Sequence, residues 1–151
     1  MSAPDSHRIH IAAAVISRPD CQVLVVRKRG SAIFMQPGGK LEPGEAPEAA
    51  LLRELGEELR LTGTLGEPEW LGRFSARAAN EADTIVEADA YAIAFDGEAA
   101  PQAEIEELRW IDPDDIGELP LAELSRNHIL PAWRAQALSP TRPRRSCTSA
   151  R

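Results

Sequence analysis

The triplet Pro37-Gly38-Gly39 divides the chain into two patterns that one kind of secondary structure cannot carry. Before it, residues 8–17 and 21–29 are apolar and rich in β-branched side chains. Arg18-Pro19-Asp20 between them is turn chemistry, so the two runs read as a β-hairpin. A short apolar piece, Ala32 to Met35, leads into the triplet. After it, Ala, Leu and Glu dominate from Pro47 to Leu59, and Pro47 suits a first helical turn, so the spacing predicts a helix there. Strand signals return at 70–74, 84–95 and 108–111, the middle one set into alternation by Glu87, Asp89 and Tyr91. Strands, a helix and strands again predict a mixed α+β sandwich, not a parallel βαβ series. Residues 113–119 are expected to form one helical turn. A second helix with Ile129, Leu130 and Trp133 is expected between Ser125 and Leu138, kinked by Pro131 or starting near it.

With 151 residues there is room for one domain, read here as residues 1–138. Residues 139–151 hold Pro, Ser, Thr and Arg with almost nothing apolar and read as a disordered basic tail. The longest apolar run, Ile11 to Ile16, is far too short to cross a bilayer, and it lacks the flanks of a secretory signal. No membrane contact and a cytoplasmic location are expected. The 24 acids against 17 bases give a net charge of −7, which argues against a general nucleic-acid binder. Cys21 and Cys147 make neither a metal quartet nor a disulfide framework and read as incidental thiols.

The helix holds the sharpest chemical feature. Glu54, Glu57 and Glu58 are spaced i, i+3, i+4 and leave one face within a single turn. A solvated, salt-bridged helix would place bases four residues from its acids. Here only Glu57 gains one, Arg53, in the less favourable order. Leu51, Leu52, Leu55 and Leu59 pin the helix to a core and leave the acids at its edge. Hard oxygen ligands on a rigid element suit Mg²⁺ or Mn²⁺. The Gly38-Gly39 turn brings backbone close to whatever those carboxylates hold.

Read as one string, these residues are Gly39, five residues, Glu45, seven residues, then Arg53-Glu54-Leu55-Gly56-Glu57-Glu58-Leu59-Arg60-Leu61. The string resembles the Nudix box and departs from it only at Arg60, where the family has a glycine that ends the helix. Gly63 is expected to supply that turn from a slightly longer helix. The hairpin before the box, Phe34-Met35-Gln36-Pro37-Gly38-Gly39-Lys40 and the Trp-Ile-Asp-Pro segment at 110–113 look like the same family.

The resemblance implies an α/β/α sandwich with a mixed β-sheet. It also implies hydrolysis of a small nucleotide-type diphosphate, with Mg²⁺ or Mn²⁺ as cofactor. Its implied metal ligands are Glu57, Glu58, the Gly38 carbonyl and Glu54, with Arg53 positioning the carboxylates and Glu45 supporting Arg53. Glu54 is the implied proton acceptor, and Glu104, just ahead of Trp110, is the alternative base or a further ligand. Arg27, Lys28 and Arg29, on the strand leading to the loop, could reach phosphate, although alternation turns at least one of them to solvent; Arg27, Arg29 and Lys40 are the candidate substrate-binding cations. A nucleotide-sensing module without hydrolysis would be expected to lose box acids. An isomerase of the isopentenyl diphosphate type would need a better-placed cysteine. A sheet edge or the second helix offers a surface for a homodimer.

Overall fold

The computed structural model describes residues 7–78 and 82–137. Its centre is a mixed sheet of eight strands: β1 (His7–Ser17), β2 (Val23–Lys28), β3 (Phe34–Met35), β4 (Gly38–Lys40), β5 (Leu59–Leu65), β6 (Glu69–Arg77), β7 (Thr84–Pro101) and β8 (Ile105–Ile111). β1 and β7 run parallel along their shared length, from His7 opposite Thr84 to Ser17 opposite Ala94, and every other pairing is antiparallel. Helix α1 (Pro47–Glu58) covers one face. The other is covered by a π-helical turn, Ser125–Ile129, that runs directly into helix α2 (Leu130–Ala137). This is the expected α/β/α sandwich.

Alternation along the strands divides the core. Ala12, Ala14, Ile16, Leu24, Val26, Tyr91, Ile93 and Phe95 pack against Leu51 and Leu55 of α1. Ala13, Val15, Val23, Val25, Val86, Ala88 and Ala90 pack against Ile129, Leu130 and Trp133. β1 is therefore buried on both faces, which explains its unbroken apolar run.

Several expectations need correcting. The hairpin is reduced to its base: β1 and β2 pair only at Ser17 and Val23, after which β2 pairs with β8 and β1 with β4. The expected helical turn at 113–119 is a pair of hydrogen-bonded turns, Asp115 N–H to Asp112 O and Leu119 N–H to Ile116 O. α1 ends at Glu58, earlier than expected, and Leu59 is already extended as the first residue of β5. Arg60 thus needs no left-handed backbone. Gly63 lies inside β5 opposite Gly97, where its φ of 139° and the crowding of a Cβ against Asp96 O both require glycine. Pro131 has no N–H to donate, and the turn before it is widened, with Leu130 N–H bonding Ser125 O five residues back. Cys21 is not a free thiol. Leu138, Cys147 and the expected tail at 139–151 lie outside the described residues. Among the described residues, no helix is long and apolar enough to cross a membrane.

Candidate active site

The site forms where β4 meets α1. Ala46 offers no side-chain cap, so the helix start rests on Pro47 in the first turn and on Glu48, whose charge suits the helix N-terminus. The loop before it closes on itself: Glu42 N–H donates to the Glu45 carboxylate at 2.9 Å, and Glu45 N–H donates to Glu42 O. That closure fixes Glu45 for the side chain arriving from two turns into α1.

Arg53 grips Glu45 with two parallel bonds, Nε to Oε2 and Nη2 to Oε1, both 2.8 Å. Its remaining donors reach Glu54 at 2.9 Å, the Lys40 carbonyl at 3.1 Å and, at 3.5 Å, the exposed Glu57. Hydrogen bonding from Arg53, aided by the Glu42 N–H, holds the Glu45 carboxyl at about 2. The guanidinium is raised above its ordinary value, chiefly by Glu45, so it stays charged at any working pH.

Glu54 lies across the backbone of Gly39, where a Cβ would overlap its carboxylate. Glu58 is buried and accepts the Gly38 N–H at 3.1 Å. Burial pushes its carboxyl up to about 7, and the charges of Glu54 and Glu104 push the same way against the Gly38 N–H and Lys28. Burial is thus the first cause of the rise, and the like charges of Glu54 and Glu104 are lesser ones. Among the described residues, no three acidic or histidine side chains already converge as a closed ligand set. The donors are nonetheless hard oxygens, one of them on a buried carboxyl held against the Gly38 N–H, and these fit a small divalent cation.

Not every predicted residue reaches this place. Glu54 and Glu58 lie against β4, and Glu57 stands at the rim with 58% of its side chain exposed. Glu104 sits exposed in the turn before β8, its carbonyl accepting Arg29 N–H and its charge felt at Glu58. Arg27 is paired with Glu107 at 3.0 Å and with Ser31 O, and Arg29 is 68% exposed beside Glu106. Lys28, between them, is the base that acts on Glu58. It follows Leu24 and Val26 at alternate positions of β2, the row that faces α1, and that parity separates it from the flanking arginines with which the sequence had grouped it. Lys40 is exposed and contributes its carbonyl to Arg53. Gln102, not singled out from sequence, ends α1: its side-chain amide donates to Gly56 O and Leu59 O, both at 3.1 Å, and its backbone N–H to Glu58 O.

Comparison with known proteins gives three kinds of similarity. The model of the NUDIX domain matches residues 7–133. The chain is 41% identical over 64 residues to the 8-oxo-dGTP diphosphatase of Proteus vulgaris, covering 40% of this chain and 57% of that protein, so it spans little more than half that relative's length. It is 30% identical over 118 residues to the CTP pyrophosphohydrolase of Escherichia coli strain K12, covering 76% of this chain and 83% of that one. Among solved structures, the solution structure of the E. coli ORF135 protein is similar with a TM-score of 0.68 at 26% identity, covering 95% of this chain and 99% of the other.

Proposed function

The chain belongs to the NUDIX domain family, and from that premise we propose that it is a pyrophosphohydrolase, cleaving the diphosphate linkage of a nucleotide-type substrate by attack of water on phosphorus. The observation that carries this reading is the seating of two α1 carboxylates on the β4 backbone, Glu54 over Gly39 and Glu58 on the Gly38 N–H, with Arg53 fixing the first.

Glu54, Glu57, Glu58 and the Gly38 carbonyl would hold Mg²⁺ or Mn²⁺. Such an ion, when bound, neutralises phosphate oxygens and lowers the pKa of a bound water. Arg53 keeps the Glu54 carboxylate in one orientation and Glu45 keeps Arg53 in place, so neither must reorganise as charge develops. Glu54 accepts the proton of the attacking water, with Glu104 as the alternative acceptor across the turn. Arg29 and Lys40, both exposed, and Lys28 are the cations for substrate phosphates, since Arg29 meets Glu106 only as an exposed pair at 3.5 Å, while Arg27 would have to leave Glu107 to join them. Nucleoside triphosphates are the first substrates to test, because two relatives carry names of that substrate class.

A panel of nucleoside triphosphates, nucleotide sugars, ADP-ribose and dinucleoside polyphosphates, each with Mg²⁺ and with Mn²⁺, tests the reading. Turnover that requires the metal and disappears in Glu58→Gln is expected. No turnover with any metal, or full activity in Glu58→Gln, overturns it.

A further inference from the structure

The end of α1 is closed by a residue from another element. A helix leaves its last carbonyls without intrahelical partners, and the usual remedies are a left-handed glycine after the last turn or a cation within it. α1 has neither: Leu59 is extended, and the last turn holds no base. Gln102 supplies the donors instead. Its Nε2 lies 3.1 Å from Gly56 O and Leu59 O and 3.5 Å from Glu57 O, and its backbone N–H donates to Glu58 O at 2.9 Å. These carbonyls belong to the turn that carries Glu57 and Glu58. The residues after Gln102 make a tight turn between β7 and β8, closed by Ile105 N–H on Gln102 O at 3.0 Å. Ala103 stands there in the left-handed region with φ 54°, a conformation that a non-glycine residue keeps only where its surroundings hold it. Arg29 holds the far side, its N–H donating to Glu104 O at 2.8 Å and its guanidinium to Ala103 O at 3.3 Å.

We propose that Gln102 is a positioning residue of the hydrolase site: it locks the turn that bears Glu104 onto the turn of α1 that bears Glu57 and Glu58, so that acids from two elements meet one divalent cation already in register. The proposal rests on the reading that the α1 acids hold Mg²⁺ or Mn²⁺. A cation that draws ligands from two elements must order them as it binds unless they are held beforehand, and the cost of that ordering is subtracted from its affinity. Here one side chain spans the junction. Glu104 is only two positions from Gln102, so slack at Gln102 passes directly to it. The charge of Glu104 is felt at Glu58, which puts acids of the two elements within interaction range of each other.

The test is Mn²⁺ binding by calorimetry without substrate, so it needs no turnover. Gln102→Met keeps the length of the side chain and removes its donors. It is expected to bind Mn²⁺ roughly tenfold more weakly than wild type. Ile129→Val, a core truncation on the α2 face, weakens the fold without touching this junction and is expected to bind Mn²⁺ normally. In a Glu104→Gln background the Gln102→Met change should matter less than about twofold, because the acid it positions is gone. Should Gln102→Met fail to fold, hydrogen exchange in the wild type still decides: the amides of Gln102 and Ile105 should slow at least about tenfold on saturation with Mg²⁺, and those of β6 should not. Equal affinity in folded Gln102→Met, an equal loss in Ile129→Val, an undiminished loss in the Glu104→Gln background, unmoved exchange at both amides, or no Mn²⁺ binding by wild type overturns the proposal. Wild-type turnover with equal affinity in Gln102→Met sinks the positioning role and leaves the hydrolase standing. A Glu104-dependent loss of affinity in a protein that turns over no substrate does the reverse.

Discussion

Glu58 serves two opposed demands, because the burial that positions its carboxylate on the Gly38 N–H also penalises its charge. Its ordinary value of 4.5 rises to about 7 in the fold, so between those values the folded protein binds the extra proton and loses stability as pH climbs. Glu58→Gln keeps an acceptor for Gly38 and removes the charge. In the metal-free protein at pH 8 it should raise stability by up to about 3 kcal/mol, and the gain should vanish near pH 4. Urea denaturation with a chelator present reads this directly. Added Mg²⁺ should stabilise the wild type and not the variant, and equal stability of the two proteins at pH 8 would contradict the assignment. Gly39 poses a different demand, since its φ lies outside the left-handed range and alanine suits the backbone, yet a methyl group would overlap the Glu54 carboxylate. Gly39→Ala is therefore expected to displace a flexible side-chain tip, not to unfold the sheet. Turnover should fall at least about tenfold with a shift in melting temperature of only a few degrees. Unchanged turnover would mean that the Glu54 position is irrelevant.

At the scale of elements, α1 illustrates what a sequence can and cannot disclose. Its start, its acids and its buried Leu51 and Leu55 follow from local spacing and were legible, whereas Leu52, expected in the core beside them, is 45% exposed. Its end was not, because that is set by Gln102, forty-odd positions downstream, whose amide satisfies Gly56 O and Leu59 O and lets the chain pass straight into β5. β5 itself was missed, since Arg60-Leu61-Thr62-Gly63 has no strong strand character and is held by pairing with the far half of β7. That half, through Asp96-Gly97-Glu98, resembles a turn until β5 lies beside it. In the site, the pairing of Glu45 with Arg53 was readable because both belong to one contiguous string. Lys28 needed the parity of β2 to be applied. Gln102→Ala tests the capping role: it should cost about 1–2 kcal/mol in chemical denaturation, with hydrogen exchange quickened in the last turn of α1 and in β5 more than in β1. Uniform acceleration across the sheet would show that Gln102 supports the fold generally and has no special hold on this junction.

For the whole molecule, the carboxylates that tie distant elements together oppose Glu58. Glu45 joins the loop to α1, and Glu107 joins β8 to β2 through Arg27. Asp89 joins three strands, taking His10 of β1 at 2.6 Å together with Arg73 and Trp70 of β6. Burial alone would raise Asp89, but its hydrogen bonds from Arg73, His10 and Trp70 outweigh that and hold it below the usual carboxylate range. Glu107 is lowered by Arg109 and then Arg27, and Glu45 falls from 4.5 to about 2. A depressed carboxylate contributes fully above its unfolded value and loses that contribution as pH falls through its folded one. These three therefore weaken the protein below about pH 4.5, whereas Glu58 weakens it as pH rises from 4.5 toward 7. The surplus of 24 acids over 17 bases adds to the second effect through general repulsion. Metal-free protein should accordingly be most stable near pH 5, read as the urea midpoint from pH 3 to 9. Glu58→Gln should flatten only the alkaline side of that curve. Asp89→Asn should lower the curve at neutral pH and make its acid side shallower, because a side chain that cannot titrate has nothing to lose there. A midpoint that rises steadily from pH 4 to 8 in metal-free wild type would contradict the raised value of Glu58 and remove a physical support of the proposed cation site.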